Sequence, residues 1–386
     1  MLRFGMVGGG PGSFIGEVHL MAASLDGQAH LVAGAFSSDP AKSKTKGHEL
    51  GLDPNRIYGT YQEMAQAEAA REDGIDFVVI VTPNHLHFDI ARVFLEAEFH
   101  VVCDKPLTTT LEDAEELCRV VAKGRSVFVV THNYTGYPMI KEARQLVREG
   151  RLGRVRRIQV EYIQGWLSTP LEQTGQRQAV WRTNPTQAGI AGALGDIGTH
   201  AHNLARYVTG LEVEELYADL TTFVEGRELD DDASLLLRWS DGARGTLIAS
   251  QIAYGEENGL TLRVYGTEGS IAWRQEEPET LMLKIDNMTT ISRRGTAELS
   301  QMAQHCSRLP PGHPEGFIEG FANLYQNAVR TIEARKAGGH PATADLDFPT
   351  VWDGARGVHF IERALESTRL GGWVDARYTP PQEPSQ

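Results

Sequence analysis

The chain has 386 residues, 41% hydrophobic and 23% charged, with a formal charge of −14. That length and balance suit two domains with cores of their own and exclude wholesale disorder. The negative charge speaks against nucleic acid or an anionic membrane as partner.

Residues 2–7 read as a strand that runs into Gly8-Gly9-Gly10-Pro11-Gly12-Ser13-Phe14-Ile15-Gly16. A helix is expected over about 17–25 and a strand over 31–36. The almost continuously apolar run at 76–82 suits a strand covered on both faces. Helix 87–98, strand 100–103, helix 111–123 and strand 126–131 follow. Strands alternating with helices imply an α/β fold with a doubly wound parallel sheet, here assigned to residues 1–133 as a Rossmann domain.

The rhythm changes after Tyr134. A helix over 140–149, a strand over 155–162 and a helix over 195–208 precede strands at 213–223, 233–239, 245–250, 261–265 and 270–273. Turn signals such as Ser240-Asp241-Gly242 separate them. Strands in series predict a large, mostly antiparallel sheet in an α+β domain over 134–386. Helices are expected at 317–336 and 351–370, and the Pro- and Gln-rich tail from Pro380 is expected to fray. No apolar run reaches the length of a membrane span, and the N-terminus lacks a secretory pattern. Cys103, Cys118 and Cys306 form no CxxC. They read as small buried hydrophobes in a reducing compartment, so a cytoplasmic protein is expected.

Gly8, Gly10 and Gly16 lie between the first strand and the first helix. Glycine there permits a tight turn and lets backbone approach a pyrophosphate at a helix N-terminus. The spacing is longer than GxGxxG, as though Pro11-Gly12-Ser13 were inserted. At the end of the second strand Ser37 stands where an acid would read the ribose of NAD, with Lys42 five residues on. A hydroxyl and a cation would tolerate the 2′-phosphate of NADP, whereas a solvated Lys42 would leave NAD in use, so both cofactors stay open. Asp39 before Pro40 suits either a ribose contact or a helix cap.

Oxidising a secondary alcohol needs a group that takes the hydroxyl proton and one that stabilises the alkoxide. Lys105 follows a buried strand, and Pro106 restricts its backbone and is a candidate cis proline. Asp196 and His200 are four apart and share a helix face, in a stripe continued by Asn203 and Tyr207. His200 suits a general base, and Asp196 suits orienting the imidazole or binding a substrate hydroxyl. The pairs His85/His87 and His200/His202 lack a completing cluster of ligands, so no metal site is expected.

These motifs in this order resemble the Gfo/Idh/MocA family of oxidoreductases over nearly the full length. The carriers are the glycine loop ending Gly16-Glu17-Val18-His19, Thr82-Pro83-Asn84 followed by His87, Asp104-Lys105-Pro106, and Gly195-Asp196 with Gly198 and His200. The resemblance implies NAD(P)-dependent hydride transfer on a sugar, inositol or related polyol, and a homo-oligomer, dimer or tetramer, built through the second-domain sheet. It implies Lys105 and His200 as the catalytic pair with Asp196 assisting. It puts Gly8, Gly10, Gly16, Ser37, Pro83, Asn84, His87 and Asp104 on the cofactor side. Asn203 departs from the Asp of many relatives. The segment Trp166–Arg182, with Arg177, Trp181 and Arg182, suits a substrate-facing loop. The run Pro311–Gly316 resembles an HPEG element whose His313 would reach substrate, in this subunit or a neighbour. The rival class is a dinucleotide-responsive binding or regulatory protein without turnover, which has no need of Lys105, Asp196 and His200 together.

Overall fold

The computed structural model describes residues 1–384. Five parallel strands make the first sheet: β1 (Leu2–Gly8), β2 (Ala29–Ala35), β3 (Phe77–Val81), β4 (His100–Cys103) and β5 (Phe128–Val130). Their spatial order is β2-β1-β3-β4-β5. Crossovers run through α1 (Phe14–Ser24), α2 (Pro40–Glu49), α3 (Tyr61–Ala69), α4 (His87–Glu96) and α5 (Leu111–Lys123). Every residue of β3 is buried, as expected for a strand under helices on both faces. The strand order reverses between β1 and β3, which opens a crevice at their carboxyl ends where such sheets bind ligands.

The second sheet has nine strands, in the order β13-β12-β11-β10-β6-β9-β8-β7-β14. They are β6 (Val155–Ile163), β7 (Val213–Thr221), β8 (Asp232–Trp239), β9 (Arg244–Ser250), β10 (Gly259–Gly266), β11 (Gly269–Arg274), β12 (Thr280–Ile285), β13 (Met288–Arg293) and β14 (Val374–Asp375). All neighbours are antiparallel except β6 and β9. Period-two burial sends Ile158, Val160 and Tyr162 of β6 inward. They pack with Ile140 and Ala143 of α6 (Pro138–Arg148) and with Ala201 and Leu204 of α9 (Thr199–Thr209). The short helices α7 (Arg177–Arg182) and α8 (Pro185–Ala188) lie between β6 and α9 in the chain, and α10 (Gln301–His305) follows β13.

Two late helices join the halves. In α11 (Phe317–Lys336), Phe321, Leu324, Tyr325 and Ile332 pack with Phe4, Met6, Phe77 and Val79 of the first sheet. In α12 (Val351–Leu370), Val351, Ala355 and Val358 join the core of Leu117 and Phe128, while Phe360, Ile361 and Ala364 join the core of the second sheet.

Three expectations shift. Helix α1 begins at Phe14 rather than near 17, because Ser13 caps it by accepting from the Gly16 amide. The hairpin β12–β13 was not foreseen; it turns at Asp286-Asn287, both at positive φ (52° and 61°). The tail is anchored rather than frayed as far as it is described: Pro380 is buried, the Trp352 indole donates to the Pro381 carbonyl, and Arg356 grips Glu383 through two bonds. Residues 385–386 of that tail lie outside the described residues. All three cysteines are buried and free. No helix among the described residues is long and apolar enough to cross a membrane.

Candidate active site

The glycine loop runs from the end of β1 into α1. Gly8 sits at φ +89°, and a Cβ there would lie 2.7 Å from the Val81 carbonyl oxygen. A Cβ on Gly10 would lie 2.7 Å from the Phe36 carbonyl oxygen, and one on Gly16 would lie 2.7 Å from the Gly9 Cα. Side chains are therefore excluded where a pyrophosphate would meet backbone. The added Pro11-Gly12-Ser13 makes a turn, with the Ser13 amide donating to the Gly10 carbonyl, and supplies the cap. The amides of Gly12, Phe14 and Ile15 have no partner among the described residues. Free amides at the positive end of an 11-residue helix fit the phosphates of a dinucleotide.

At the end of β2, Ser37 accepts from the Asp39 amide. The Asp39 carboxylate is the cap of α2 and takes the amides of Ala41 and Lys42. Lys42 is exposed, with its ammonium 3.7 Å from Asp39.

Two strand-end loops are tied together by His87, which is fully buried. Its Nδ1 lies 2.9 Å from the Pro106 carbonyl and its Nε2 lies 3.0 Å from the Thr82 carbonyl. Both nitrogens thus lie against main-chain carbonyls, to one of which the neutral imidazole donates, and His87 ties the two loops together. Asp104 is likewise committed, accepting from Thr131 at 2.6 Å and contacting His19 at 3.2 Å. Burial pushes the Asp104 carboxyl up, but His19 and the Thr131 hydroxyl outweigh it and hold it below its ordinary value. His19 in turn meets the Tyr325 hydroxyl. Asn84 reaches the other half, donating to the Ala188 carbonyl at 2.9 Å, with Pro83 beside it as the cap of a short turn.

Lys105 closes the gap between the halves; its peptide bond to Pro106 is cis. Its ammonium donates to Asp196 Oδ1 at 2.9 Å and to the Asp196 main-chain carbonyl at 2.5 Å. Asp196 Oδ2 accepts from Arg182 Nε at 3.0 Å and from Gln251 at 2.9 Å. Burial pushes the Asp196 carboxyl up, but the charges of Arg182 and Lys105 and the hydrogen bonds from Lys105 and Gln251 hold it far below its ordinary value. One anion thus stands between two cations. Arg182 lies over the Trp181 ring at 4.2 Å and over the Trp166 ring at 5.8 Å.

His200 is buried beside this group, and neither ring nitrogen has a hydrogen-bond partner among the described residues. Burial first, then the Lys105 charge, hold its pKa well below the ordinary 6.5. The imidazole is therefore neutral near pH 7, and its Nδ1 is left without a partner among the described residues. Asp196 does not orient it by a hydrogen bond, because Asp196 is committed to Lys105, Arg182 and Gln251. The reason is local: Asp196 sits in a π-turn, Leu194–Gly198, in which the Thr199 amide reaches back to Leu194. That turn breaks the i, i+4 stripe. Tyr207, about two turns beyond His200 on the regular helix α9, bonds Asp347 and Lys141 away from the site, while Asn203 is buried with an unpaired carbonyl oxygen.

Arg177 is not in the Lys105 cluster. It donates to the Pro11 carbonyl at 2.5 Å, placing a second-half cation on the glycine loop. His313 is exposed and contributes its main-chain carbonyl to Arg294, so within this chain its ring is apart from the cluster.

Several site residues escaped the sequence reading, though Trp166, at the end of the polar chain they form, opens the segment read as substrate-facing. His132 meets the His200 ring edge-on at 5.3 Å, and Tyr134 meets it at 4.9 Å. Burial lowers the His132 pKa to about 3. A polar chain continues from Tyr134 to Tyr162 at 2.5 Å, to Asn258 at 2.7 Å, to Gln164 at 2.9 Å and to Trp166 at 3.0 Å. These groups come from strand ends and loops, which carry no periodic signal. The pairs His85/His87 and His200/His202 do not converge: His202 stacks on Phe360 with ring centroids 4.2 Å apart.

Comparison with known proteins agrees with this geometry. Residues 2–132 match the oxidoreductase family described as having an NAD-binding Rossmann fold, and residues 140–272 match the GFO/IDH/MocA C-terminal domain. The uncharacterized oxidoreductase YfiI of Bacillus subtilis is 33% identical, over 97% of this chain and 96% of its own length. A solved oxidoreductase from Sinorhizobium meliloti is 46% identical with a TM-score of 0.88, over 97% of this chain and 99% of that one. An inositol dehydrogenase homolog from Azotobacter vinelandii, solved with NAD+, is 37% identical with a TM-score of 0.92, over 97% of each chain.

Proposed function

The chain belongs to the Gfo/Idh/MocA oxidoreductase family, and from that premise we propose that it transfers hydride between a secondary alcohol of a sugar, inositol or related polyol and NAD. The observation that carries the reading is the meeting of Lys105, from the end of β4 in the nucleotide half, with Asp196 and Arg182 of the other half. Bound nicotinamide supplies the hydride acceptor. The Lys105 ammonium, held by Asp196, lowers the cost of an alkoxide on the substrate oxygen. His200, kept neutral by burial and by Lys105, accepts the hydroxyl proton. Arg182, Gln251 and the Trp166 ring supply donors and a flat face suited to a polyol. The A. vinelandii relative's name supports an inositol-like substrate.

NAD is favoured over NADP by the end of β2. The Asp39 carboxylate already occupies the first amides of α2, and Lys42 is drawn to Asp39. A 2′-phosphate would find a negative charge there and no free amide. Gly8, Gly10 and Gly16 hold the pyrophosphate, Ser37 the ribose, and Pro83 and Asn84 the nicotinamide end. In this reading the functional division falls between 133 and 134, in a reducing, cytoplasmic compartment suited to three free cysteines.

The outer face of the second sheet supports self-association. Arg238, Arg244 and Arg157 stand side by side across β8, β9 and β6, while Asp219 and Glu161 lie further along the same face. A two-fold axis would set the arginines of one copy on the acids of the other, with half-exposed Leu236 between them.

The test is nicotinamide absorbance across a panel of inositols, aldoses and anhydrosugars with NAD and NADP. Turnover of at least one polyol is expected, with NAD preferred. Tight NADH binding with no turnover across the panel would oppose the reading.

A further inference from the structure

The segment leading into the π-turn is held by one residue outside the cluster. Asp230 precedes β8 and is buried. Its Oδ1 accepts from the Gly192 amide at 2.7 Å and its Oδ2 from the Leu194 amide at 2.8 Å. Its own main-chain carbonyl accepts from the Ala193 amide at 2.8 Å. Three consecutive amides thus end on a single residue. The Gly192 carbonyl then accepts from the Asp196 amide at 2.8 Å, so the chain of bonds ends at the residue that grips Lys105. Gly192 is obligatory in this contact, because a Cβ there would lie 2.0 Å from the Asp230 carbonyl oxygen.

We propose that Asp230 is a positioning residue for the reaction: its ionised carboxylate holds residues 192–194 and so sets where Asp196 and His200 stand. The proposal rests on the dehydrogenase reading above for its kinetic arm only. A neutral acceptor would satisfy amides at less desolvation cost, yet no cation pairs with this carboxylate among the described residues. The charged groups around it are Asp231 beside it, itself bound by Arg227, and Asp196 one turn on, bound by Lys105 and Arg182. Burial, reinforced by Asp231, pushes the Asp230 pKa up to about 6. A proton arriving there turns one acceptor oxygen into a donor, which leaves the Gly192 or Leu194 amide unpaired. The segment loosens, and Lys105 loses its fixed anchor.

The experiment compares wild type with Asp230→Asn. Wild-type kcat/KM is expected to fall below about pH 6 along a one-proton limb. Asp230→Asn is expected to lose roughly tenfold to a hundredfold in kcat at pH 8, keep its NADH dissociation constant within about twofold, and lack that limb. Hydrogen exchange on the wild type gives a second readout: protection of residues 192–196 should drop as pH passes from 7.5 to 5, beyond the intrinsic rate change. Because the folded pKa is raised, the stability of wild type relative to the variant should rise over the same interval. Wild-type kcat with the limb intact in Asp230→Asn overturns the proposal, as does protection that does not change with pH. If no polyol is turned over, the functional reading fails, and the exchange and stability arms still decide the role of Asp230. Should the variant not fold, exchange on the wild type alone decides it.

Discussion

Replacing Lys105 with Met removes the ammonium while keeping most of the side-chain volume. The site then loses the cation that meets Asp196 at 2.9 Å, and Arg182 remains as the only partner charge on that carboxylate. Losing a preorganised donor to an oxyanion costs about 10²–10³ in kcat. Losing a positioned proton-transfer partner costs about 10²–10⁴. The two effects act as a unit and do not multiply, so a fall of about 10²–10⁴ is expected, or about 3–5 kcal/mol of barrier. Stability should drop by only about 1.5–3 kcal/mol, since Asp196 keeps Arg182 and Gln251 and is not left as an orphaned charge. The His200 pKa should rise, because the Lys105 charge is one of the forces holding it down. The assay is steady-state turnover with the best polyol, beside an NADH titration by fluorescence and imidazole NMR. Turnover within tenfold of wild type would refute the assigned role. A parallel loss of NADH binding would show that the residue serves the cofactor instead.

Arg177→Gln should weaken NADH and ADP-ribose by a similar factor, about threefold to tenfold, while leaving adenosine unaffected, since the residue lies on the glycine loop; calorimetry with the three ligands separates this from a substrate role. Asp39→Ser should narrow the preference for NAD over NADP by about fivefold, because the negative charge at the N-terminus of α2 is removed; equal dissociation constants before and after would discard the argument. Asp347→Asn should destabilise the protein by about 3–5 kcal/mol at pH 7, as Lys141 would be left buried and uncompensated. Burial raises the Asp347 carboxyl, but Lys141 and Arg144 outweigh it and depress the pKa. Its contribution is therefore complete above the ordinary 3.8 and is lost as pH falls toward the folded value. The gap in urea midpoint between wild type and variant should shrink at pH 3, and an undiminished gap there would count against the pairing.

Much of the first half was legible because its signals are local. The apolar run of β3, the alternation of strand and helix, and the glycines after β1 each specify conformation within a few residues. Lys105, Asp196 and His200 were found by residue type and context. What misled was periodicity carried across a local defect. The stripe from Asp196 to His200 assumes an unbroken α-helix, and the π-turn at Leu194–Gly198 takes Asp196 off the face that His200 occupies, while Tyr207 lies further along the helix against Asp347 and Lys141. His87 has the position of a ligand-facing residue, but only the folded loops show its ring enclosed between two main-chain carbonyls. His132, Tyr134, Tyr162 and Gln251 lie at strand ends whose convergence depends on sheet register, which no window of sequence contains. The hairpin β12–β13 did leave a trace, since Asp286-Asn287 between two stretches rich in β-branched residues and methionine is a turn of the kind that tolerates positive φ.

The placement of α11 and α12 bears on how this chain can be recombined. The face of the nucleotide sheet carrying Phe4 and Phe77 is closed by residues that a ribosome makes some 240 positions later. A chimera that grafts the first five strands onto a foreign partner would leave that face wet unless Phe317–Lys336 travels with it. The tradable unit is therefore discontinuous, and a protease cut between the halves should liberate an aggregation-prone fragment, not an autonomous nucleotide binder.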